Sequence, residues 1–416
     1  MKENKQLELK ESITNTFLKT VSAYANYNGG KIVFGIDDNG KVKGLMDLEE
    51  ARLSIENKIN DSISPQPEYT IAVIEKDGLI TLNVKSGENK PYLYKSKAYK
   101  RNDTATIEVD NLELSRLILE GKNINYEEIT STNQELYFEI LEGLLKSHVG
   151  ISSLNKDILK TLNLFSDLKG YNNAAAILAD ENDFPGIDIV KFGENINIMQ
   201  KRKLLERKSI LKSYEEAIEL YKDYYQYEEI VGSERKTIEE IPEAAFRETL
   251  ANAIIHRTWD VNAKIRVMMF NDGIEVVSPG GLSTGISESE YLSGKISMLR
   301  NPILAQIFYR LNIVEIFGTG ILRIKNLYNT SITKPQFEVS ENAIRVFLPK
   351  LDVQGNLTDD EKKVYSLLSK TMHKSISEIT PYVEFGKSKV TVLLKSMADK
   401  GVVSIEGKGR GTKYHL

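Results

Sequence analysis

The chain has 416 residues, 41% hydrophobic and 27% charged, with a net charge of −4 and no cysteine. That composition fits an ordinary globular protein of roughly three or four domains and does not by itself advertise nucleic-acid binding. It excludes disulfides, thiol nucleophiles and thiolate zinc sites. The four histidines (His148, His256, His373 and His415) lack metal-ligand spacing, so a carboxylate site for Mg²⁺ or Mn²⁺ is the metal chemistry left open.

Along the first 110 residues the pattern is mixed α/β. Ile13 to Tyr27 has helical periodicity, with Phe17, Leu18, Val21, Tyr24 and Ala25 as its apolar stripe. Asn28-Gly29-Gly30 ends it, a strand Lys31–Ile36 follows, and Asp37-Asp38-Asn39-Gly40 makes a turn. A helix near Asp47–Ser62 precedes the prolines at 65 and 67. Strands Thr70–Ile74 and Ile80–Val84 join through Asp77-Gly78, and Tyr92–Tyr99 reads as a further strand. On it Tyr92, Tyr94 and Ser96 share one face and Lys95, Lys97 and Tyr99 the other. Cations there, with Arg101, suit phosphates, and exposed rings suit unstacked bases; a half-buried strand with a solvated lysine face reads equally well.

Glu3, Glu8 and Lys10, then Ala25-Asn26, Gly29-Gly30, Gly35-Ile36-Asp37-Asp38, Gly40 and Gly44, form a pattern that resembles the AlbA-like domain shared with the Schlafen family. The resemblance implies three carboxylates, Glu3, Glu8 and Asp37 (or Asp38 in its place), around Mg²⁺ or Mn²⁺. Such a metal polarises a phosphodiester and activates water, for cleavage of RNA or DNA. Many bacterial relatives are regarded as binding DNA without cutting it. Carboxylates near a chain start and an Asp-rich turn also have an ordinary solvated reading.

Residues 131–235 alternate helix and strand weakly. A strand-like Asp188–Phe192 precedes a long charged helix from Ile210 to about Tyr225, and the tyrosines from 221 to 227 read as a packed helix face.

After Pro242 a helix carries Glu248, Asn252 and His256 at four-residue spacing, which places them near one face. Strands Ile265–Phe270 and Ile274–Val277 flank Asn271-Asp272-Gly273, a hairpin signal. Two glycine turns follow, Ser278-Pro279-Gly280-Gly281 and Phe317-Gly318-Thr319-Gly320, and Asn301-Pro302 opens a helix between them. A carboxylate that can position water, a carboxamide that can ligate a hard cation and glycine amides that can cradle phosphate together suit a nucleotide with its magnesium.

This set resembles the divergent histidine-kinase-like (GHKL-type) ATPase module of bacterial RecG-related regulators. The resemblance implies ATP, with Asn252 on the Mg²⁺, Gly280, Gly281, Gly318, Thr319 and Gly320 around the phosphates, and Glu248 as general base if ATP is hydrolysed. An Asp normally reads adenine in the first glycine turn; the stretch here, Val277 to Gly281, has none. A fossil fold with solvated Glu248 and Asn252 is the alternative.

From Leu357 to Leu416 there are 11 Lys and Arg against 7 Asp and Glu, a local balance of +4, and the rest of the chain sums to −8. Thr358 N-caps an acidic first turn and Ser375 starts a second short helix. A third fits Gly386–Met397, and Val402–Tyr414 reads as a hairpin with a glycine-rich basic tip. Helix, helix, helix and basic hairpin look like a winged helix-turn-helix. Lys387, Ser388, Lys389 and Thr391 would then face the major groove or its phosphates, with Lys408, Arg410 and Lys413 on the wing. Winged helices also serve as protein-interaction modules.

The expected fold is therefore α+β and multidomain. It comprises an AlbA/Schlafen-like α/β domain over 1–125, an α/β connecting region over 130–240, a GHKL-like α/β sandwich over 241–352 and a winged helix over 357–416. The order resembles bacterial transcriptional regulators of the RecG-related group, which implies double-stranded DNA as partner and a homodimer. A metal-dependent nuclease, on RNA or DNA and in phage defence, and an ATPase are the enzymatic alternatives. No apolar run approaches the roughly 18 residues of a membrane span and no signal-peptide pattern follows Met1, so a cytoplasmic protein without a membrane partner is expected.

Overall fold

The computed structural model describes every residue except 1, 38, 232–233, 284, 295–297, 316–317, 330, 352–356, 370–372, 401 and 408, and the backbone alone at 231, 234, 236 and 410. The chain forms two compact units. One comprises Met1–Glu135, Asn155–Ala176 and Ser283–Ser287; the other comprises Leu136–Leu154, Ile177–Leu282 and Glu288–Leu416. The 130–240 stretch is divided between them. Among the described residues no helix is long and apolar enough to cross a membrane.

In the first unit a four-stranded sheet has the order Leu7–Lys10, Gly30–Phe34, Leu79–Val84, Tyr69–Ile74. The first pair is parallel and the other two are antiparallel. Helices Phe17–Asn26 and Leu48–Ser62 cover one face, where Phe17, Val21, Tyr24, Ile55 and Ile59 pack on Ile32, Phe34, Ile80 and Leu82. Asp47 caps the second helix by accepting the Glu50 N–H at 2.9 Å. The first helix starts later than its apolar stripe predicts, at Phe17 rather than Ile13.

The predicted strand Tyr92–Tyr99 is instead a tight hairpin. Tyr94 and Lys97 exchange backbone hydrogen bonds of 3.0 and 3.1 Å, and Lys95 and Ser96 between them both have positive φ (50° and 62°). Two such residues in a row make a type I′ turn, whose twist matches the flanking strands. Tyr92, Tyr94 and Tyr99 are consequently all core residues, and none offers an exposed ring to a base.

The second unit holds a six-stranded sheet in the order Met199–Leu205, Ile187–Phe192, Ile265–Met269, Gly273–Pro279, Ala343–Pro349, Gln336–Val339. Only Ile187–Phe192 and Ile265–Met269 run parallel. The predicted helix Ile210–Tyr225 forms as expected, with Tyr221 stacked on Phe246 at 5.1 Å. Directly after it, Gln226–Val231 and Glu234–Glu239 form a two-stranded hairpin, so Tyr227 leaves the packed helix face and is exposed.

Residues 357–416, in the same unit, have their own small core. Helices Asp359–Tyr365, Ile376–Ile379 and Lys387–Asp399 precede the hairpin Ser404–Glu406 and Lys413–His415. Val364, Tyr365, Ile379, Val390, Leu394, Met397 and Tyr414 fill the space between them. A capping box starts the first helix: Glu361 N–H donates to Thr358 Oγ1 at 3.3 Å, and Thr358 N–H donates to Glu361 Oε2 at 2.6 Å.

Candidate functional site

The Glu243–His256 helix buries side chains almost all round, among them Ala245, Phe246, Leu250, Ala251, Ile254 and Ile255, as a helix enclosed by its neighbours does. A carboxylate on such a helix needs a partner. Glu248 is 9% exposed, and its Oε1 accepts a hydrogen bond from Asn252 Nδ2 at 3.2 Å. Burial raises its carboxyl above the ordinary range; the Asn252 bond and the Arg323 charge pull it back, and Glu315 adds to the rise.

The helix Gly320–Leu327 closes over this pair. A Cβ at Gly320 would overlap Glu248 Oε1 and lie 2.8 Å from Asn252 Nδ2, so glycine alone lets the backbone come so near. The positive end of a helix beside a carboxylate is also a favourable pairing. Glu248 and Asn252 are thus brought together as their four-residue spacing predicts, and the backbone of Gly320 lies against both. Gly318 and Thr319 lead into the Gly320 helix, while Phe317 of the same motif lies outside the described residues. His256, one turn beyond Asn252, is pushed down to about 4 by burial and the nearby Arg300.

Gly280 and Gly281 answer to packing. A Cβ at Gly280, where φ is +104°, would overlap Thr258 Oγ1, and one at Gly281 would overlap the backbone of Glu341. The Gly280 N–H donates to the Asn342 carbonyl at 2.8 Å, so it is not free for a phosphate. Ser278, in the stretch where the resemblance places an adenine-reading Asp, is buried and donates its hydroxyl to the Ala253 carbonyl at 2.8 Å.

Three residues that sequence reasoning passed over complete this region. A helix end leaves carbonyls without partners, and here Asn301 Nδ2 donates to the carbonyls of Ile255 (2.7 Å) and Arg257 (2.9 Å). Arg300 donates to those of His256 (2.9 Å) and Gly281 (2.8 Å), tying the helix end to the glycine turn. Arg257 is fully buried, donates to the carbonyls of Pro185, Val261 and Ala263, and lies 4.2 Å over the Trp259 ring. Burial lowers it to about 10. The only sequence signal was Asn301-Pro302, which reads as a helix start and says nothing about the second role.

The N-terminal carboxylates have protein partners. Glu3 Oε1 accepts the Leu9 N–H at 2.9 Å, an edge-strand donor. The Glu8 carboxylate is 8% exposed and pairs with Lys10 and with Arg101, each at 2.5 Å. Asp37 accepts the N–H groups of Asn39 (3.0 Å) and Lys41 (2.8 Å), the usual work of an Asp in a turn. Asp38 lies outside the described residues. Among the described residues no group of three His, Asp or Glu could hold a metal ion.

Of the cations beside the predicted Tyr strand, Arg101 is internal. Its side chain is 5% exposed and also donates to Thr106 Oγ1 at 2.9 Å, so it faces Glu8 and not a ligand. Lys97 is paired with Glu108 at 2.7 Å, and Lys95 lies over the Tyr94 ring at 5.4 Å.

In the C-terminal segment Lys387, Ser388, Lys389 and Thr391 are all exposed on one helix. Lys389 leans away from the others to pair with Asp360 at 2.6 Å and to lie 4.3 Å over the Phe385 ring. Lys413 is exposed on the hairpin. Lys408 and the Arg410 side chain lie outside the described residues.

Comparison with known proteins finds two family matches along the chain. Residues 3–110 match the family Schlafen, AlbA_2, and residues 262–348 match a family described as "Putative ATP-dependent DNA helicase recG C-terminal". The chain carries a Schlafen AlbA_2 domain and a RecG-related ATPase-like domain. Glu248 and Asn252 precede the second matched span, whereas both glycine turns lie inside it. Among solved structures, the DIP2311 protein from Corynebacterium diphtheriae is similar at 18% identity and a TM-score of 0.49, over 99% of this chain and 92% of that one. The N-terminal domain of a RecG-related protein from Nitrosomonas europaea is similar at 20% identity and a TM-score of 0.21, over 27% of this chain and 84% of its own. No curated protein matches.

Proposed function

We propose that this chain is a regulator that grips duplex DNA through residues 357–416, folded as a winged helix, with the AlbA_2 domain adding a second nucleic-acid contact. The observation that carries this reading is the exposed face of the Lys387–Asp399 helix, in a segment with a surplus of positive charge that continues into a hairpin with Lys413 exposed. Cations on such a face neutralise phosphates and release counterions, so affinity falls steeply with salt.

Titration of the purified chain against labelled duplex DNA, single-stranded DNA and RNA, across a salt series, tests it. Duplex DNA should be bound most tightly. Lys387→Ala and Lys395→Ala should each weaken binding across sequences and reduce the salt slope by about 1. A chain that leaves duplex DNA free at low salt would end the reading. The same binding curves, run in a sedimentation experiment, test the homodimer proposed with it.

The RecG-related domain belongs to this proposal as a nucleotide-responsive element. ATP with magnesium would be held where the two helices meet, Asn252 offering a carbonyl oxygen to the metal and Glu248 a carboxylate beside it. A thermal shift with Mg-ATP that disappears in Asn252→Ala supports this role, and no shift in the wild type removes it. The ion pairs around Glu8 support a structural role for that carboxylate, so metal-dependent cleavage is not part of the reading. Mn²⁺-dependent cutting that is lost in Glu8→Ala would reinstate it.

A further inference from the structure

The Lys387–Asp399 helix buries Val390, Leu394 and Met397 on one side. Opposite them, at the spacing that defines one helix face, lie Ser388, Thr391, Val392, Lys395 and Asp399, all exposed. Val392 stands out on this ridge because it is 66% exposed. A β-branched residue on a solvent-facing helix turn lowers helix stability by a few tenths of a kcal/mol relative to Ala, and without burial nothing in the fold offsets that. Thr391 beside it donates its hydroxyl to the Lys387 carbonyl at 2.8 Å, which uses its one donor and leaves its methyl group and an acceptor oxygen for outside contacts. Lys389, the cation expected here from the sequence, is turned toward Asp360 and Phe385.

The chemistry the ridge offers is therefore narrow: the hydroxyls of Ser388 and Thr391, the second already donating to Lys387, the neighbouring methyl groups of Thr391 and Val392, the Lys395 ammonium and the Asp399 carboxylate at the far end of the helix. It carries no Arg, Asn or Gln, so the guanidinium reading of guanine and the carboxamide reading of adenine are not available from it, and its one cation, Lys395, is assigned to the phosphates. What an apolar, branched side chain can read in a major groove is the 5-methyl group of thymine. The positive charge that flanks it, Lys387 and Lys395 on the same helix and Lys413 on the hairpin, complements DNA phosphates on either side of such a contact.

We infer that Val392, with the Thr391 methyl beside it, reads thymine methyl groups and so gives this protein a preference for thymine at one or two defined positions. The inference rests on the DNA-binding reading above and adds to it a determinant of sequence preference.

The test uses the full chain. Duplexes are first selected from a random pool at moderate salt, and the best one is then compared with copies in which single thymines are replaced by uracil, which removes only the methyl group. Wild type should lose roughly fourfold in affinity per contacted methyl at one or two positions. Val392→Ala should bind thymine and uracil copies equally there while keeping the wild-type salt slope. Lys395→Ala should do the reverse, keeping the discrimination and losing slope.

Equal binding of every uracil copy by the wild type overturns the inference and leaves the DNA-binding reading standing. Discrimination that survives in Val392→Ala overturns it as well. Failure to retard any duplex ends both. If Val392→Ala alters only sedimentation, the ridge is a protein contact and the inference falls. Since Val392 is exposed, unchanged circular dichroism of the variant separates these outcomes from misfolding.

Discussion

Glu361 ties the first and third helices of the C-terminal segment together, and replacing it with Gln tests that directly. Its carboxylate is 2% exposed and pairs with Lys400 at 2.7 Å. It also accepts the Thr358 N–H at 2.6 Å and the Ser396 hydroxyl at 2.7 Å. Burial alone would raise this carboxyl; Lys400, the Thr358 amide and Ser396 outweigh it and hold the group down to about 2, from an ordinary 4.5. A carboxyl bound more tightly as an anion in the folded chain contributes up to about 3 kcal/mol above the unfolded pKa, near pH 4.5, and loses it as pH falls toward 2. Gln retains one acceptor oxygen, so Glu361→Gln should lower local stability by roughly 2 kcal/mol at pH 7. Hydrogen exchange of the full chain reads this as about thirtyfold weaker protection in the Asp359–Tyr365 and Lys387–Asp399 helices. The gap between variant and wild type should narrow steadily from about pH 5 toward pH 2, because the unfolded wild-type chain then takes up a proton that the folded carboxyl, held near 2, still excludes. Protection within threefold of wild type at pH 7, or a gap that does not change with pH, would refute the assignment of Glu361 as the anchor.

Three further expectations follow from the same geometry. Gly320→Ala should lower the unfolding temperature of its unit, since a methyl group there overlaps Glu248 Oε1 and overpacking of this kind costs about 1–3 kcal/mol. The single tryptophan, Trp259, reports it by fluorescence, and an unchanged midpoint would show that the two helices separate freely. Glu8→Gln should lower stability by roughly 3 kcal/mol by leaving the buried Arg101 without its counter-charge, whereas Glu8→Met combined with Arg101→Leu should recover most of the loss. A single variant as stable as wild type by calorimetry would mean that Glu8 is not structural. Asn301→Ala should cost about 1–3 kcal/mol by uncovering the buried carbonyls of Ile255 and Arg257. Faster exchange in the last turn of the Glu248 helix is the expected signature, and wild-type protection there would contradict the capping role.

What could be read in the sequence was what local chemistry encodes. The start of the helix near Asp47, the Thr358 N-cap and the turn at Asn271-Asp272-Gly273 are each decided within a few residues, and each forms as read. The meeting of Glu248 with Asn252 follows from helix geometry alone. Signals failed where burial or a distant partner decides. Met199–Leu205 is an edge strand whose only buried side chain is Leu205, so Gln200 to Lys203 carry no apolar alternation to reveal it. Lys95 and Ser96 take positive φ without glycine or asparagine, because the flanking Tyr94 and Tyr99 are held in the core and leave the turn no alternative. Ion pairs between Glu8 and Arg101, or Glu361 and Lys400, join residues far apart in the chain, and nothing local distinguishes such a carboxylate from a metal ligand or a solvated one.

The two glycine turns make the point sharpest. Both have the composition of a phosphate cradle, and sequence gives no ground for preferring one over the other. In the fold they diverge. Gly280 is glycine because Thr258 leaves no room for a side chain, and its amide already has a carbonyl partner. Gly320 is glycine because its backbone lies against the two side chains whose chemistry suits a nucleotide-bound cation. A glycine motif predicts close approach; what is approached decides whether the motif is architecture or site. On that argument substitutions at Gly280 should act through stability alone. Those at Gly320 should act through stability and, if Mg-ATP binds at all, through nucleotide affinity as well, and a Gly280 variant with wild-type stability and lost nucleotide binding would break the distinction.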